Sequence, residues 1–176
     1  MRLSSTPHQA ETISSDRHDS TISLLRRIDL FDGLSPSDIG RLARAFTLFG
    51  AGPGQYLEVQ DAPVLWWSVM VNGHALVERD RTALALLGHG ESWSEHSVLN
   101  TMRSPISVVA LSPVSVLSVT RRQFWEILDD QPTLRKRITA RSATSPDRLA
   151  LPVHRALVHM DRALLRPSDD RALRWA

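Results

Sequence analysis

The chain has 176 residues and no cysteine. That removes disulfides, thiolate zinc sites, iron–sulfur clusters and cysteine nucleophiles in one step. Long apolar runs are missing too. The longest, Ala62 to Val71, stops at Asn72-Gly73, well short of the ~20 residues a membrane-spanning helix needs. The N-terminal stretch is rich in Ser, Thr, His and Asp and lacks the apolar segment of a secretory signal. A cytoplasmic protein is expected, with no membrane contact. Lysine is nearly absent: Lys136 is the only one among the 21 basic residues. Arginine keeps its charge at any accessible pH, so the isoelectric point sits near 9.9 although the formal net charge is only +2. The arginine bias reads as a codon effect. The cluster Arg135-Lys136-Arg137 with Arg141 reads as the solvated face of a helix, since Leu134 and Ile138 sit four apart.

What is present is a globular composition, with 42% apolar and 23% charged residues. Residues 1–20 read as a disordered arm. The spacing of Ile22, Leu24, Leu25 and Ile28 suits one or two helical turns. Ser35-Pro36 starts a second helix: Ser35 is a good N-cap, Pro36 suits the first helical position, and Asp38 stands where a capping carboxylate would. From Thr47 to Val119 the pattern changes to short apolar runs broken by turns. Strands are expected at Gln55 to Gln60, Val64 to Val71, His74 to Arg79, Thr82 to Leu87, Ser107 to Leu111 and Val114 to Val119. Asn72-Gly73 predicts a hairpin. Thr120 caps a further helix with Phe124, Ile127 and Leu128 on its buried face, and Thr133 to Ala140 continues as helix after Pro132. Ser142 to Pro146 reads as a linker, and Pro152 to Leu165 as a last amphipathic helix. The expected domains are therefore the arm 1–20, a core domain 21–140, and a linker, helix and tail over 141–176.

Several motifs in this order resemble the cyclic nucleotide-binding domain family, of the Crp/Fnr and protein-kinase-A-regulatory-subunit kind. Leu30-Phe31-Asp32-Gly33-Leu34-Ser35 resembles the family's opening. Gly54 and Asn72-Gly73 resemble its turn glycines. Gly90-Glu91-Ser92-Trp93-Ser94-Glu95-His96-Ser97-Val98-Leu99 resembles the phosphate-binding cassette. Ser107-Val108-Val109-Ala110 resembles the strand after it, and Thr120-Arg121-Arg122-Gln123-Phe124 the start of the helix behind the roll. The resemblance covers residues 22 to 140. It implies a mainly β fold with flanking helices: an antiparallel jelly-roll-like β-roll with N-terminal and C-terminal helices.

The resemblance also implies a ligand, cAMP or cGMP, and places its site at Ser94, Glu95, His96, Ser97, Arg103, Ser104 and Pro105. In the family a glycine lets the backbone approach the ribose-phosphate, a glutamate accepts from the 2′-hydroxyl, and an arginine clamps the phosphate through two parallel hydrogen bonds. Glu95 stands at the glutamate and Ser97 at a small residue. Ser94 replaces the glycine. The arginine position falls on Ser104, and Arg103 lies one residue early, which on a strand reverses the side-chain face. Pro105 lacks an N–H donor, and the turn glycine expected between Gln60 and Asp61 is missing. A charge-assisted pair is worth about 1.5–3 kcal/mol against about 1 for a neutral bond, so its loss costs roughly tenfold or more in affinity. The expectation is a regulatory, non-enzymatic module with weakened or lost cAMP or cGMP binding, acting through a protein partner or a homodimer.

Three alternatives follow from the same residues. One is a functional cAMP-binding Crp/Fnr-type regulator fragment without its DNA-binding domain: the 36 residues after Ala140 hold one amphipathic helix and no helix-turn-helix pattern. Another is a cupin-like enzyme, against which stands the absence of a His-x-His pair near His89, Glu91, Glu95 and His96. The last is nucleic-acid binding through Arg135 to Arg141. Trp66, Trp67 and Trp93 read as core rather than a stacking platform.

Overall fold

A computed structural model describes residues 17–101 and 103–149, with the side chains of 100, 101 and 143–149 outside the description. Helix α1 (17–25) leads through a 3-10 turn, Asp29–Phe31, to α2 (Pro36–Ala45). Ser35 caps α2: its hydroxyl accepts from the Asp38 N–H at 3.1 Å and donates to Asp38 Oδ2 at 2.6 Å. Eight strands follow, β1 (Thr47–Ala51), β2 (Tyr56–Glu58), β3 (Trp66–Asn72), β4 (Ala75–Arg79), β5 (Thr82–Leu87), β6 (Ser92–Trp93), β7 (Ser107–Ala110) and β8 (Val114–Thr120). They form two four-stranded antiparallel sheets, ordered β1-β8-β3-β6 and β2-β7-β4-β5. Helices α3 (Arg121–Asp130) and α4 (Pro132–Leu149) complete the described chain. The expected β-roll with flanking helices is the observed architecture.

The first sheet is a wall between two cores. Alternate residues of a strand point to opposite faces. Trp67 and Val69 of β3, with Leu117 and Val119 of β8, meet Leu25, Phe31, Leu42, Phe46, Phe124, Leu128 and Leu134 of the helices. Met70, Val114 and Val116 point the other way, into the roll, against Ala75, Val77, Leu87, Trp93 and Val108. Burial on both faces explains why Trp66–Asn72 and Val114–Thr120 carry long apolar runs instead of clean alternation. On the helix side, the Trp67 ring lies 4.9 Å from Phe124 and 6.0 Å from Phe46, centroid to centroid. Thr120 and Gln123 form a full capping box, so the sheet's last residue also starts α3.

Three local expectations are corrected. Asn72-Gly73 does not close a hairpin: β3 pairs with β6 and β8, while β4 pairs with β5 and β7. The chain crosses here from one sheet to the other. Gly73 has φ +85°, and a Cβ on it would lie 2.4 Å from the Pro113 carbonyl oxygen. The glycine answers that close approach. The true hairpin joins β4 and β5 through Asp80 (φ +51°) and Arg81 (φ +62°), both left-handed without a glycine. Next, residues 17–20 are helical where an arm was expected. Finally, α4 continues through Ser142–Pro146, the stretch read as a linker. That stretch contains no glycine, and the helix runs on through Pro146 although an interior proline is unfavourable there. The expected helix from Pro152 to Leu165 lies outside the described residues.

The basic cluster is also more than a solvated face. The Arg137 guanidinium donates to the Leu30 carbonyl at 3.0 Å, and Arg135 Nε to the Leu128 carbonyl at 3.2 Å. Arg141 reaches the Gly90 carbonyl and the Ser92 hydroxyl, each at 3.5 Å. These arginines tie α4 to the turn before α2 and to the strand leading into the cassette.

Candidate functional site

The cassette starts at the end of β6. Ser94 has φ +74°, the left-handed backbone that favours glycine. The glycine-like geometry therefore persists with a side chain on it, at a cost of roughly 1–2 kcal/mol for L-residues. Asp61 shows the same thing at the other missing glycine, with φ +62°; Asp is one of the few residue types that tolerate this region. Ser94 N–Cα geometry opens a short helical segment over 95–101, wound as a π-helix at Ser97–Thr101, and the Val98 N–H donates back to the Ser94 carbonyl at 2.8 Å.

The predicted site residues divide by face. Ser94, Glu95, Ser97 and Ser104 are buried, with Ser97 and Ser104 each 1% exposed. His96, Arg103 and Pro105 are exposed. Glu95 accepts a hydrogen bond from the Ser92 hydroxyl. Ser104 Oγ donates to the Ile106 carbonyl at 2.8 Å. Arg103 and Ser104 lie in a ladder with the 61–63 loop: Pro63 bridges Arg103, the Asp61 N–H donates to the Ser104 carbonyl at 2.8 Å, and the Ser104 N–H to the Ala62 carbonyl at 3.0 Å. The Arg103 guanidinium donates to the Asp61 carbonyl on the outside of this ladder. The buried place that the resemblance gives to an arginine thus holds the Ser104 hydroxyl.

A cavity of about 190 Å³ opens at this end of the roll. Phe49, Trp66, Ser68, Val116 and Ser118 line it from the first sheet, Tyr56 to Val59 from β2 and the residue after it, and Trp93 from β6. Ser68 and Ser118 face each other across β3 and β8, Oγ to Oγ 2.8 Å. Trp66 packs edge-on to Phe49 at 5.6 Å. Trp66 and Trp93 were expected as core alone; both also wall the cavity. Trp67 is core.

The residue that sequence reasoning missed is Glu58. It is half-buried as a whole, with its carboxyl group turned inward. Oε2 accepts from the Ser94 hydroxyl. Oε1 is buried without a hydrogen bond of ordinary geometry, although the Ser104 hydroxyl and the Trp93 indole lie close to the carboxyl group. Burial raises its pKa above the ordinary glutamate value; hydrogen bonding from Ser104, Ser94 and Trp93 opposes that rise, and the neighbouring Glu95 adds to it. No signal in the sequence pointed to it: a β-bulge between Tyr56 and Glu58 breaks the strand period that would have assigned its face. Among the described residues that line the cavity there is one acid and no base. No group of three or more metal-ligating side chains occurs among the described residues. His89 is engaged elsewhere, Nδ1 lying 2.7 Å from the Val71 carbonyl and Nε2 3.0 Å from the Arg27 carbonyl.

No protein-family model matches this sequence, and no curated protein matches it in sequence. Solved structures match it in fold. The regulatory domain of Toxoplasma gondii protein kinase A with cAMP is 18% identical, with a TM-score of 0.64, over 73% of this chain and 52% of that one. The regulatory subunit of a cAMP-independent protein kinase A from Trypanosoma brucei, as a triple mutant bound to cAMP in its A site, is 23% identical, with a TM-score of 0.66, over 81% and 52%. The corresponding Trypanosoma cruzi subunit, bound to guanosine, is 22% identical, with a TM-score of 0.65, over 77% and 47%. This chain spans about half the length of each.

Proposed function

We propose that this chain, which has the fold of cyclic nucleotide-binding domains, is a regulatory module whose cAMP and cGMP binding is weak or lost. The observation that carries the reading is the exchange of charge at the phosphate position. A serine hydroxyl occupies the buried arginine place at Ser104, and a carboxyl group, Glu58, sits in hydrogen-bond contact with Ser94. A phosphodiester would find a neutral hydroxyl where it needs a guanidinium, with an acid close by against Ser94. The cAMP-independent regulatory subunits among the structural neighbours support this reading, and the one solved with cAMP in its A site is a triple mutant that carries an introduced arginine.

The module acts on a protein partner or a second copy through the helices behind the roll. Helices α3 and α4 pack on the first sheet through Phe124, Ile127, Leu128, Leu134 and Ile138, so a change in the roll is felt directly at those helices. Trp125 is half-buried against the same core and marks the outer side of α3. No reaction is assigned to the chain.

Calorimetric titration with cAMP and cGMP tests the reading. The unmodified chain is expected to give no saturable heat at micromolar ligand, and Ser104→Arg is expected to gain affinity by roughly tenfold or more. Sub-micromolar binding by the unmodified chain would show the reading to be wrong.

A further inference from the structure

We infer that His89 is a proton-operated clasp between the N-terminal helices and the roll, closed when its ring carries two protons and opened when it loses one. The inference stands apart from the ligand reading above and does not depend on it.

The geometry of the ring carries it. His89 lies in the turn between β5 and β6. Its Nδ1 is 2.7 Å from the Val71 carbonyl oxygen and its Nε2 3.0 Å from the Arg27 carbonyl oxygen. Carbonyl oxygens only accept, so both ring nitrogens must donate. A neutral imidazole donates from one nitrogen and presents a lone pair at the other; only the imidazolium donates from both. Loss of one proton sets a nitrogen lone pair against a carbonyl oxygen. Whichever contact then opens, the bridge is broken.

Both carbonyls are ones the fold leaves over. β3 bulges between Met70 and Asn72, so Val71 is passed over in its register with β8. Arg27 lies just past the end of α1, where helix carbonyls lack partners and positive charge is favoured. The turn that presents the ring is itself held in place. The Gly90 N–H donates to the Met70 carbonyl and the Met70 N–H to the Glu91 carbonyl, each at 2.8 Å. The Gly88 N–H donates to Glu91 Oε2 at 2.7 Å. A ring on so fixed a turn ties the end of α1 to β3 and to the strand that leads into the cassette.

The charges around the ring act in both directions. Asp29, on the 3-10 turn, favours the imidazolium; Arg27 and partial burial oppose it. On the ring's own turn, the Glu91 carboxylate already holds the Gly88 N–H, and the His74 ring, just before β4, stands beside Gly88. Arg141 reaches over from α4 to the Gly90 carbonyl at 3.5 Å. The two carbonyl contacts, Val71 first, outweigh the opposing effects, so the ring keeps its second proton above the ordinary histidine value of 6.5. The unfolded chain gives that proton up first. The clasp's contribution to stability is therefore complete below pH 6.5 and is lost as pH rises through the folded value.

Nuclear magnetic resonance of the full chain across pH 5 to 9 tests the clasp, with His89→Gln identifying the His89 ring signals by their loss. The ring is expected to titrate with a midpoint above 6.5. The amide nitrogen of Ile28 or of Asn72, whose peptide units contain the two carbonyls, is expected to shift at that same midpoint. Asp29→Asn, at an exposed site, is expected to leave the midpoint above 6.5, because the carbonyls and not the carboxylate hold the second proton. The difference in denaturation midpoint between the unmodified chain and His89→Gln cancels the other titrating groups. It is expected to move against the unmodified chain as pH rises through the His89 midpoint. A ring midpoint at or below 6.5 would overturn the inference, as would Ile28 and Asn72 amides that both ignore the titration. A midpoint that returns to 6.5 in Asp29→Asn would overturn it by assigning the effect to charge alone. A denaturation difference that does not change with pH would also overturn it.

Discussion

The two sides of the first sheet are built by the same strands and obey different rules. Toward the helices the packing is mostly apolar: Trp67 joins Phe46 and Phe124 in one aromatic cluster, with its Nε1 the polar atom buried there without a partner. Toward the roll, the apolar packing of Met70, Val77 and Val108 gives way at one end to Ser68, Ser118 and Glu58 at a cavity, with Ser94 hydrogen-bonded to Glu58. Polar groups buried without full partners reduce stability. The difference teaches where to look for function in this chain: at the end of the roll where stability has been given up, and where two non-glycine residues, Asp61 and Ser94, hold left-handed backbone.

The sharpest way to test that contrast is to damage the helix side. Trp67→Ala removes a fully buried ring from between two others and is expected to cost about 3–5 kcal/mol in urea denaturation. A loss under 1 kcal/mol would mean that the aromatic cluster is not the stabilising centre. The crossing between the sheets comes next. Gly73→Ala places a Cβ 2.4 Å from the Pro113 carbonyl oxygen, and such overpacking costs about 1–3 kcal/mol, with left-handed strain added. The same substitution at Gly40, which has open space around it and lies within α2, serves as the control and is expected to be neutral or stabilising.

Two acids sharpen the comparison through pH. On the helix side, Asp38 is held down to about 2 by hydrogen bonds from Ser35, Arg41 and Gln131. Its unfolded form binds protons more readily, so its stabilisation is present above pH 4 and is lost as pH falls toward 2. At the cavity, Glu58 is shifted the other way, chiefly by burial. Its folded form keeps the proton to higher pH, so stability declines as pH rises past the ordinary glutamate value of 4.5. Asp38→Asn should flatten the acid limb and Glu58→Gln the limb above pH 4.5, read from denaturation midpoints across pH. Identical profiles for both variants would remove the distinction. The smallest effect is expected at Ser94. Ser94→Gly relieves backbone strain but gives up the bond to Glu58, for a net change within about 1 kcal/mol. Ser94→Ala gives up the bond and keeps the strain, so it should be the less stable of the two.

The starts of α2 and α3 were legible from the sequence because capping is local chemistry, at Ser35-Pro36 and at Thr120; the start of α1 and the far end of α4, which carry no such signal, were not. Six of the eight strands were legible as apolar runs, although their partners were not; β1, whose Gly50-Ala51 reads as a turn, and the two-residue β6 were missed. Asn72-Gly73 has the composition of a hairpin, yet its geometry is set by Pro113, forty residues away in the chain and in contact across space. Asp80-Arg81 makes the real hairpin without the usual glycine. At the site, the cassette from Ser94 to Ser104 was visible as a pattern with departures. Glu58 was not, because nothing in Gln55 to Gln60 says that its carboxyl group reaches Ser94, 36 residues later. Long-range contacts of this kind depend on how the two sheets close on each other, which periodicity does not encode.

The reading proposed is that the Ser104 hydroxyl stands in the place of the guanidinium, with the Glu58 carboxyl group close by against Ser94. The most direct test is calorimetric titration of cAMP onto the double variant Glu58→Gln, Ser104→Arg beside the unmodified chain. The account predicts saturable binding by the double variant, tighter than by either single substitution, and none by the unmodified chain at the same concentrations. Strong cAMP binding by the unmodified chain, weakened when Glu58 becomes glutamine, would contradict it.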